Sequence, residues 1–450
     1  MFLRIRTRRL AAAIAAIVAV GLLGPPRGFA FEIKSQSHVL PNGLRIVLAP
    51  DPTVPTVSYH TIMDVGSRDE TKPGTTGLAH VFEHMMFRGT KRFPNFDAVV
   101  KPWGAQTNAS TGNDLTDYFV NAKSEFLKDI IDLEADRVRN LSFANEIFRT
   151  ELGPVKEERR RGVDEDPYGF METRLYDLAF EKHTYKHPVI GWEEDLEKLM
   201  TYDDAIRFKE TFYEPKHVVI SVAGNFNPDS ALAWIKQKYG DWAPGKIKPD
   251  PIPVEPPQQA PKSETRIWKD AMIAPIIMLA YKAPAMRFDT PDYVTNGVID
   301  RLLFSNSGRL HKRLVVDQQL VEEVSGGVSG GKDLGLWTIT ATVKGGVTVD
   351  SVATIIIDEL RKLGTTTVPS EELSKAINSL KADRVFGFDR PARIASTLGR
   401  YAVISGSAGN VQKEMELLST VTPQMVMDFA HRYLIDAGRT MLIMTPKPKS

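Results

Sequence analysis

Apolar and polar residues alternate along Leu44-Arg45-Ile46-Val47-Leu48, just after the turn residues Pro41-Asn42-Gly43, which predicts a strand-turn-strand unit over 39–49. Val57 to Val65 reads as a further strand and Gly77 to Phe87 as a helix. Phe126, Leu127, Ile130, Ile131 and Leu133 recur at helical spacing behind Ser124, a residue suited to capping a helix start. Val218 to Val222 closes this run as a strand. Prolines then crowd residues 244–261, among lysines and few large apolar side chains, so the segment is expected to be an extended, semi-rigid linker without a core. Beyond it the order restarts. Ile273 to Tyr281 reads as a strand, Asn296 to Leu303 begins a helix, and Val324 to Val343 is strand-rich. Helical runs follow over Val349 to Leu363 and Ser370 to Phe386, and Thr440 to Thr445 resembles the strand that closes the first half. The repeat of order predicts a divergent internal duplication. Each half is expected to be a sheet with helices packed against one face, an α+β fold.

Composition narrows the class. A chain of 450 residues is too long for one ordinary core, and 42% hydrophobic with 25% charged residues fits a folded globular protein. The formal net charge of +1 hides an asymmetry: Arg4, Arg6, Arg8, Arg9 and Arg27 lie in residues 1–30 with no acid, so the remainder is mildly acidic and has no general reason to bind nucleic acid. Residues 1–30 read as a secretory signal, with a basic start, an apolar run from Leu10 to Leu23, Pro25-Pro26, and small residues for cleavage after Ala30. The apolar run falls short of the roughly 20 residues that span a bilayer. No other segment is apolar enough to cross one, so a periplasmic protein without a stable anchor is expected. Cysteine is absent, which excludes disulfides, thiolate ligands and a cysteine nucleophile, and leaves His, Asp and Glu to hold any metal.

The chemistry concentrates in His80-Val81-Phe82-Glu83-His84. On a helix, residues four apart sit one above the other, so His80 and His84 can present two imidazoles to one ion. Glu83 lies on the same side, within reach of a water at that ion. Leu78, Val81, Met85 and Met86 supply apolar contact on the remaining faces. A catalytic zinc site needs a third protein ligand and an open position. Glu151 to Glu158 is the best donor segment. Glu151 and Glu158, seven apart, share a helix face, and Glu157 is rotated away by about 100°. Periodicity does not choose between Glu151 and Glu158.

His80-x-x-Glu83-His84, continuing into Phe87-Arg88-Gly89-Thr90, resembles the inverted zinc motif of the pitrilysin/insulinase family. The resemblance runs through Leu40-Pro41-Asn42-Gly43-Leu44, Asn108-Ala109-Ser110-Thr111, the Glu151 to Glu158 segment and Ala223-Gly224-Asn225, and is greatest to the mitochondrial-processing-peptidase-like branch. It implies two similar α+β domains, 31–243 bearing one zinc ion and 267–450 without a metal site, joined by the linker 244–266. It also implies His80, His84 and Glu158 as ligands, Glu151 as a supporting residue, and Glu83 as the general base of peptide hydrolysis. Substrate is expected to add as a strand near Asn108, Ala109 and Thr111. Tyr118 could line that cleft but is better suited to the core, and Pro154 is expected to kink the helix between the two glutamates. In complete members the second half supplies an arginine and a tyrosine seven residues apart. Val315 and Glu322 stand at those places here. The chain is therefore expected to be the zinc-bearing subunit beside a related zinc-free partner that carries the Arg/Tyr pair, or else a homodimer. The competing reading is a non-catalytic assembly subunit. That role needs none of His80, Glu83, His84 and Glu158.

Overall fold

The computed structural model describes residues 33–448 apart from 271, 286 and 330. The expected signal segment lies outside the described residues, among which no helix is long and apolar enough to cross a membrane.

Among the described residues, eleven strands form two sheets. In the first half these are β1 (Gln36–Val39), β2 (Arg45–Pro50), β3 (Thr56–Met63), β4 (Gln106–Thr111), β5 (Thr116–Lys123) and β6 (Val218–Gly224). In the second they are β7 (Lys262–Ile267), β8 (Ile276–Ala285), β9 (Val321–Ser329), β10 (Leu334–Val343) and β11 (Arg439–Thr445). The strand orders are β1-β2-β6-β3-β5-β4 and β7-β11-β8-β10-β9. Apart from β1, the two sheets match strand for strand. β2 is parallel to β6 as β7 is to β11, and the other neighbours are antiparallel in both. The helix after β3, α1 (Leu78–Met85), stands where the second half has a helix over Pro291–Phe304 after β8. This shared topology is what a duplicated sequence order leads one to expect.

Each sheet carries its own helical layer on one face. In the first half, α2 (Leu127–Asn140) lays Leu127, Ile130, Ile131 and Val138 against Val57, Tyr59 and Val120 of the sheet. Ser124 does not cap it. Its hydroxyl donates to the Pro55 carbonyl at 3.1 Å, and a 3-10 turn over Ser124–Phe126 precedes the α-helix. Next comes α3 (Asn145–Arg159), with Pro154 inside it.

The opposite faces are covered by exchange. From the first half, α4 (Pro167–Ala179) sets Met171, Leu175 and Ala179 against Ile276, Met278, Ala280 and Leu442 of the second sheet. From the second half, α5 (Pro391–Ile404) crosses β2, β3 and β6 of the first sheet. There Ser221 Oγ donates to the Ala395 carbonyl at 2.7 Å, and a Cβ on Gly399 would lie 2.1 Å from Ile62 Cδ1. Lys34–Ser450 accordingly clusters as one unit.

The proline-rich segment is extended, as its composition dictates, and it is pinned. The Glu255 carboxylate accepts the backbone N–H groups of Glu181, Lys182 and His183 at 2.9–3.0 Å and the Lys282 ammonium at 2.9 Å. The last residues of the expected linker are a strand, because Lys262–Ile267 pairs in parallel with β11.

Candidate metal centre

Gly77, at φ +91°, turns the chain into α1, and a Cβ there would lie 2.5 Å from the Ile190 carbonyl oxygen. Only glycine meets both demands cheaply. Having no side chain, Gly77 cannot cap the helix it starts. The cap comes from upstream: the buried Glu70 carboxylate accepts the N–H groups of Gly77 and Ala79, both at 2.7 Å. Asp195 holds the preceding turn, accepting from the Thr76 hydroxyl at 2.5 Å. Two donors at the helix N-terminus are thus satisfied, and the helix is fixed at the end that carries His80. Leu78, Val81, Met85 and Met86 are all buried, as their spacing requires.

His80 and His84 stack edge to face, with ring centroids 4.9 Å apart. Glu158, near the end of α3, reaches across to both. Its Oε2 lies 3.7 Å from His80 Nε2 and 3.5 Å from His84 Nε2. These separations are too long for good hydrogen bonds. They are close to the edge of a tetrahedron of ligand atoms about 2.0–2.2 Å from a central zinc, ~3.3–3.5 Å. Burial lowers the His80 pKa, although Glu158 and Glu83 pull the other way, and a lowered pKa favours the neutral imidazole that a metal requires. Its Nδ1 is buried without a hydrogen-bond partner. The donor set and its spacing therefore fit a divalent ion, and zinc above others. Among the described residues this is the one group of three His, Asp or Glu side chains so convergent.

Glu151 is buried two turns before Glu158 and pairs with Arg88, Nε to Oε1 at 2.5 Å. Glu151 and Glu158 therefore both face α1 and the turn that follows it, and α3 runs as helix through Pro154. Glu157 points away, in exposed ion pairs with Arg160 and Arg161 that bring its pKa down to about 2.

Glu83 is half-buried and accepts the Thr111 hydroxyl at 2.5 Å. β4 is one of the sheet's two edge strands, opposite β1. Its alternation turns Gln106, Asn108 and Ser110 outward and leaves Thr107, Ala109 and Thr111 half-buried, with Thr111 toward α1. Tyr118 is wholly buried, its phenol 2.9 Å from that of Tyr213, so it belongs to the core. In the second half, Val315 is half-buried and apolar, Glu322 is exposed on β9, and Arg313 turns to Glu359 at 3.8 Å. Sequence reasoning missed the Glu70 cap and the Arg88 and Thr111 contacts. Period-2 alternation puts the Thr111 side chain on the same face as Ala109, but that this face meets α1 is visible only in the fold.

The family description "Insulinase (Peptidase family M16)" matches residues 45–192, and "Peptidase M16 inactive domain" matches 200–380. The chain is 27% identical over 419 residues to the zinc protease PqqE of Helicobacter pylori, covering 92% of this chain and 93% of that protein. It is 24% identical over 435 residues to the beta subunit of the bovine mitochondrial-processing peptidase, covering 92% and 84%. A crystal structure of a protease from Helicobacter pylori superposes with a TM-score of 0.86 at 25% identity, over 92% of this chain and all of that one. With both halves matched in order and the convergent histidines falling in the first, the chain belongs to the insulinase, or M16, family of peptidases.

Proposed function

We propose that the chain is an exported zinc endopeptidase acting on short or unfolded peptides, with His80, His84 and Glu158 as ligands and Glu83 as general base. The observation that carries this reading is the convergence of three ligand atoms, all within 4.8 Å of one another, beside a carboxylate that is not one of them. Zinc held there supplies Lewis acidity toward a peptide carbonyl and a neighbouring water. Glu83 takes the proton of the attacking water and delivers it to the leaving amine. The unpaired edge of β4 at Asn108 and Ala109 takes the peptide as an added strand, using main-chain hydrogen bonds that tolerate many sequences. Glu151, fixed by Arg88, braces α3 against α1 and keeps Glu158 in reach.

Neither Val315 nor Glu322 can hold a substrate carbonyl, and Arg313, the nearest arginine to Val315 in sequence, faces Glu359 at 3.8 Å. The proposal therefore includes a related partner chain that supplies an Arg/Tyr pair, as the relative named a beta subunit suggests. A homodimer is the second arrangement. Export to the periplasm rests on residues 1–30.

Metal analysis of the purified chain, joined to a peptide-cleavage assay, tests the proposal. One zinc per chain and cleavage are expected, and Glu83→Gln should keep the metal and lose at least ~100-fold in rate. Retained cleavage by Glu83→Gln would refute the assigned base. Full activity from the isolated monomer would refute the partner.

A further inference from the structure

The β4–β5 hairpin ends on Thr111 and Thr116, which face each other across the pair. The turn between them is clamped. Gly112 N–H donates to the Leu115 carbonyl at 2.9 Å, and the carbonyls of Gly112 and Asn113 accept the N–H groups of Ser67 and Arg68 at 3.2 and 2.8 Å. Thr116 in turn donates its hydroxyl to the Val65 carbonyl at 3.1 Å. Thr111 therefore stands on a stiff support, tied to the loop that leads into the metal helix. From this support its hydroxyl reaches Glu83 Oε2 at 2.5 Å, the length of a charge-assisted O–H···O bond.

The phenols behind Glu83 do not share this task. Tyr118 and Tyr213 bond to each other at 2.9 Å in the core. Among the described residues, Thr111 is thus the hydrogen-bond donor to the Glu83 carboxylate. A glutamate has three side-chain torsions, and a base that must meet one water needs them fixed.

We infer that Thr111 is a positioning residue for hydrolysis, its hydroxyl pinning one oxygen of Glu83 so that the other is left to carry the proton. The inference rests on the peptidase reading above and departs from it at one point. Thr111 acts on the base through its side chain, in addition to any main-chain pairing with the peptide. Valine keeps the shape and β-branching of threonine and removes the donor. Serine keeps the donor.

The test compares wild type, Thr111→Val and Thr111→Ser, each loaded with zinc and assayed with its partner if one is required. Thr111→Val should lose ~10-fold or more in kcat with KM nearly unchanged, and Thr111→Ser should recover most of it. Zinc content should stay at one per chain in all three. Peptide binding, read by fluorescence anisotropy in the inert Glu83→Gln background, should be the same with and without Thr111→Val. Wild-type kcat in Thr111→Val overturns the inference, and so does a raised KM or weakened peptide binding with kcat intact. A wild-type chain that holds zinc and cleaves no peptide overturns the peptidase reading itself, and this inference with it.

Discussion

Gly399 offers a test in which two physical effects carry opposite signs. It sits within α5, the helix that the second half lays across the first sheet. Glycine to alanine inside a helix ordinarily gains about 1 kcal/mol. Here the new methyl would lie 2.1 Å from Ile62 Cδ1 and 3.1 Å from Ser221 Cβ, against ~3.5–4.0 Å for carbon atoms in comfortable contact. Ile62 is fully buried and cannot swing into solvent. Retreat of the helix instead would stretch the 2.7 Å bond from Ser221 to the Ala395 carbonyl. Overpacking of this kind costs about 1–3 kcal/mol, and at so short a contact the upper part of that range applies. Gly399→Ala should therefore lower stability by about 1–2 kcal/mol net, read from urea unfolding of the metal-free chain. Ile62→Val removes the obstructing Cδ1. Alone it should cost about 1 kcal/mol, and in the Gly399→Ala background it should cost nothing or restore stability. A Gly399→Ala protein as stable as wild type, or strict additivity of the pair, would refute the close-packing argument.

Glu158→Gln exchanges the charged carboxylate of the proposed third ligand for an amide, and zinc affinity by chelator competition should fall beyond the ~10–100-fold typical of losing an outer hydrogen-bond partner, with melting of the metal-free chain unchanged. Asp300 accepts the Trp337 indole N–H at 2.7 Å, and burial pushes its pKa up to about 7. The folded chain thus keeps a proton that the unfolded chain releases near pH 4, so stability is full below that pH and falls by up to ~1.4 kcal/mol per unit until about pH 7. Asp300→Asn stays neutral and can still accept the indole, so the wild-type-minus-variant difference in unfolding free energy should carry that slope. A flat difference between pH 4 and 7 would exclude it.

Local features were the legible ones. The spacing His80-x-x-x-His84 is a statement about one helical turn, and the strands over 56–63, 218–224 and 439–445 announce themselves as apolar runs between turn residues. The repeat of element order is legible too, and the matching strand orders of the two sheets agree with it, although the order in which strands pair is set by contacts that no single segment carries. What stayed hidden depends on distant partners. Nothing in the pattern of α4 or α5 says which sheet its apolar side will meet, since an amphipathic helix looks the same over either. Glu70 reads as one more surface acid until the fold brings it beneath Gly77. Ser124 resembled a cap because capping and turn residues share one chemistry, and the carbonyl of Pro55, which takes its hydroxyl, arrives from another strand.

The exchange of α4 and α5 also sets a timetable. A ribosome that has finished β6 has not finished the first half, because the outer face of β2, β3 and β6 stays bare until Ile404 has emerged. Residues needed to complete the half that holds His80, His84 and Glu158 are thus made late. A chain ordered in this way holds off its final packing through most of synthesis, and the two halves complete each other late rather than folding one after the other.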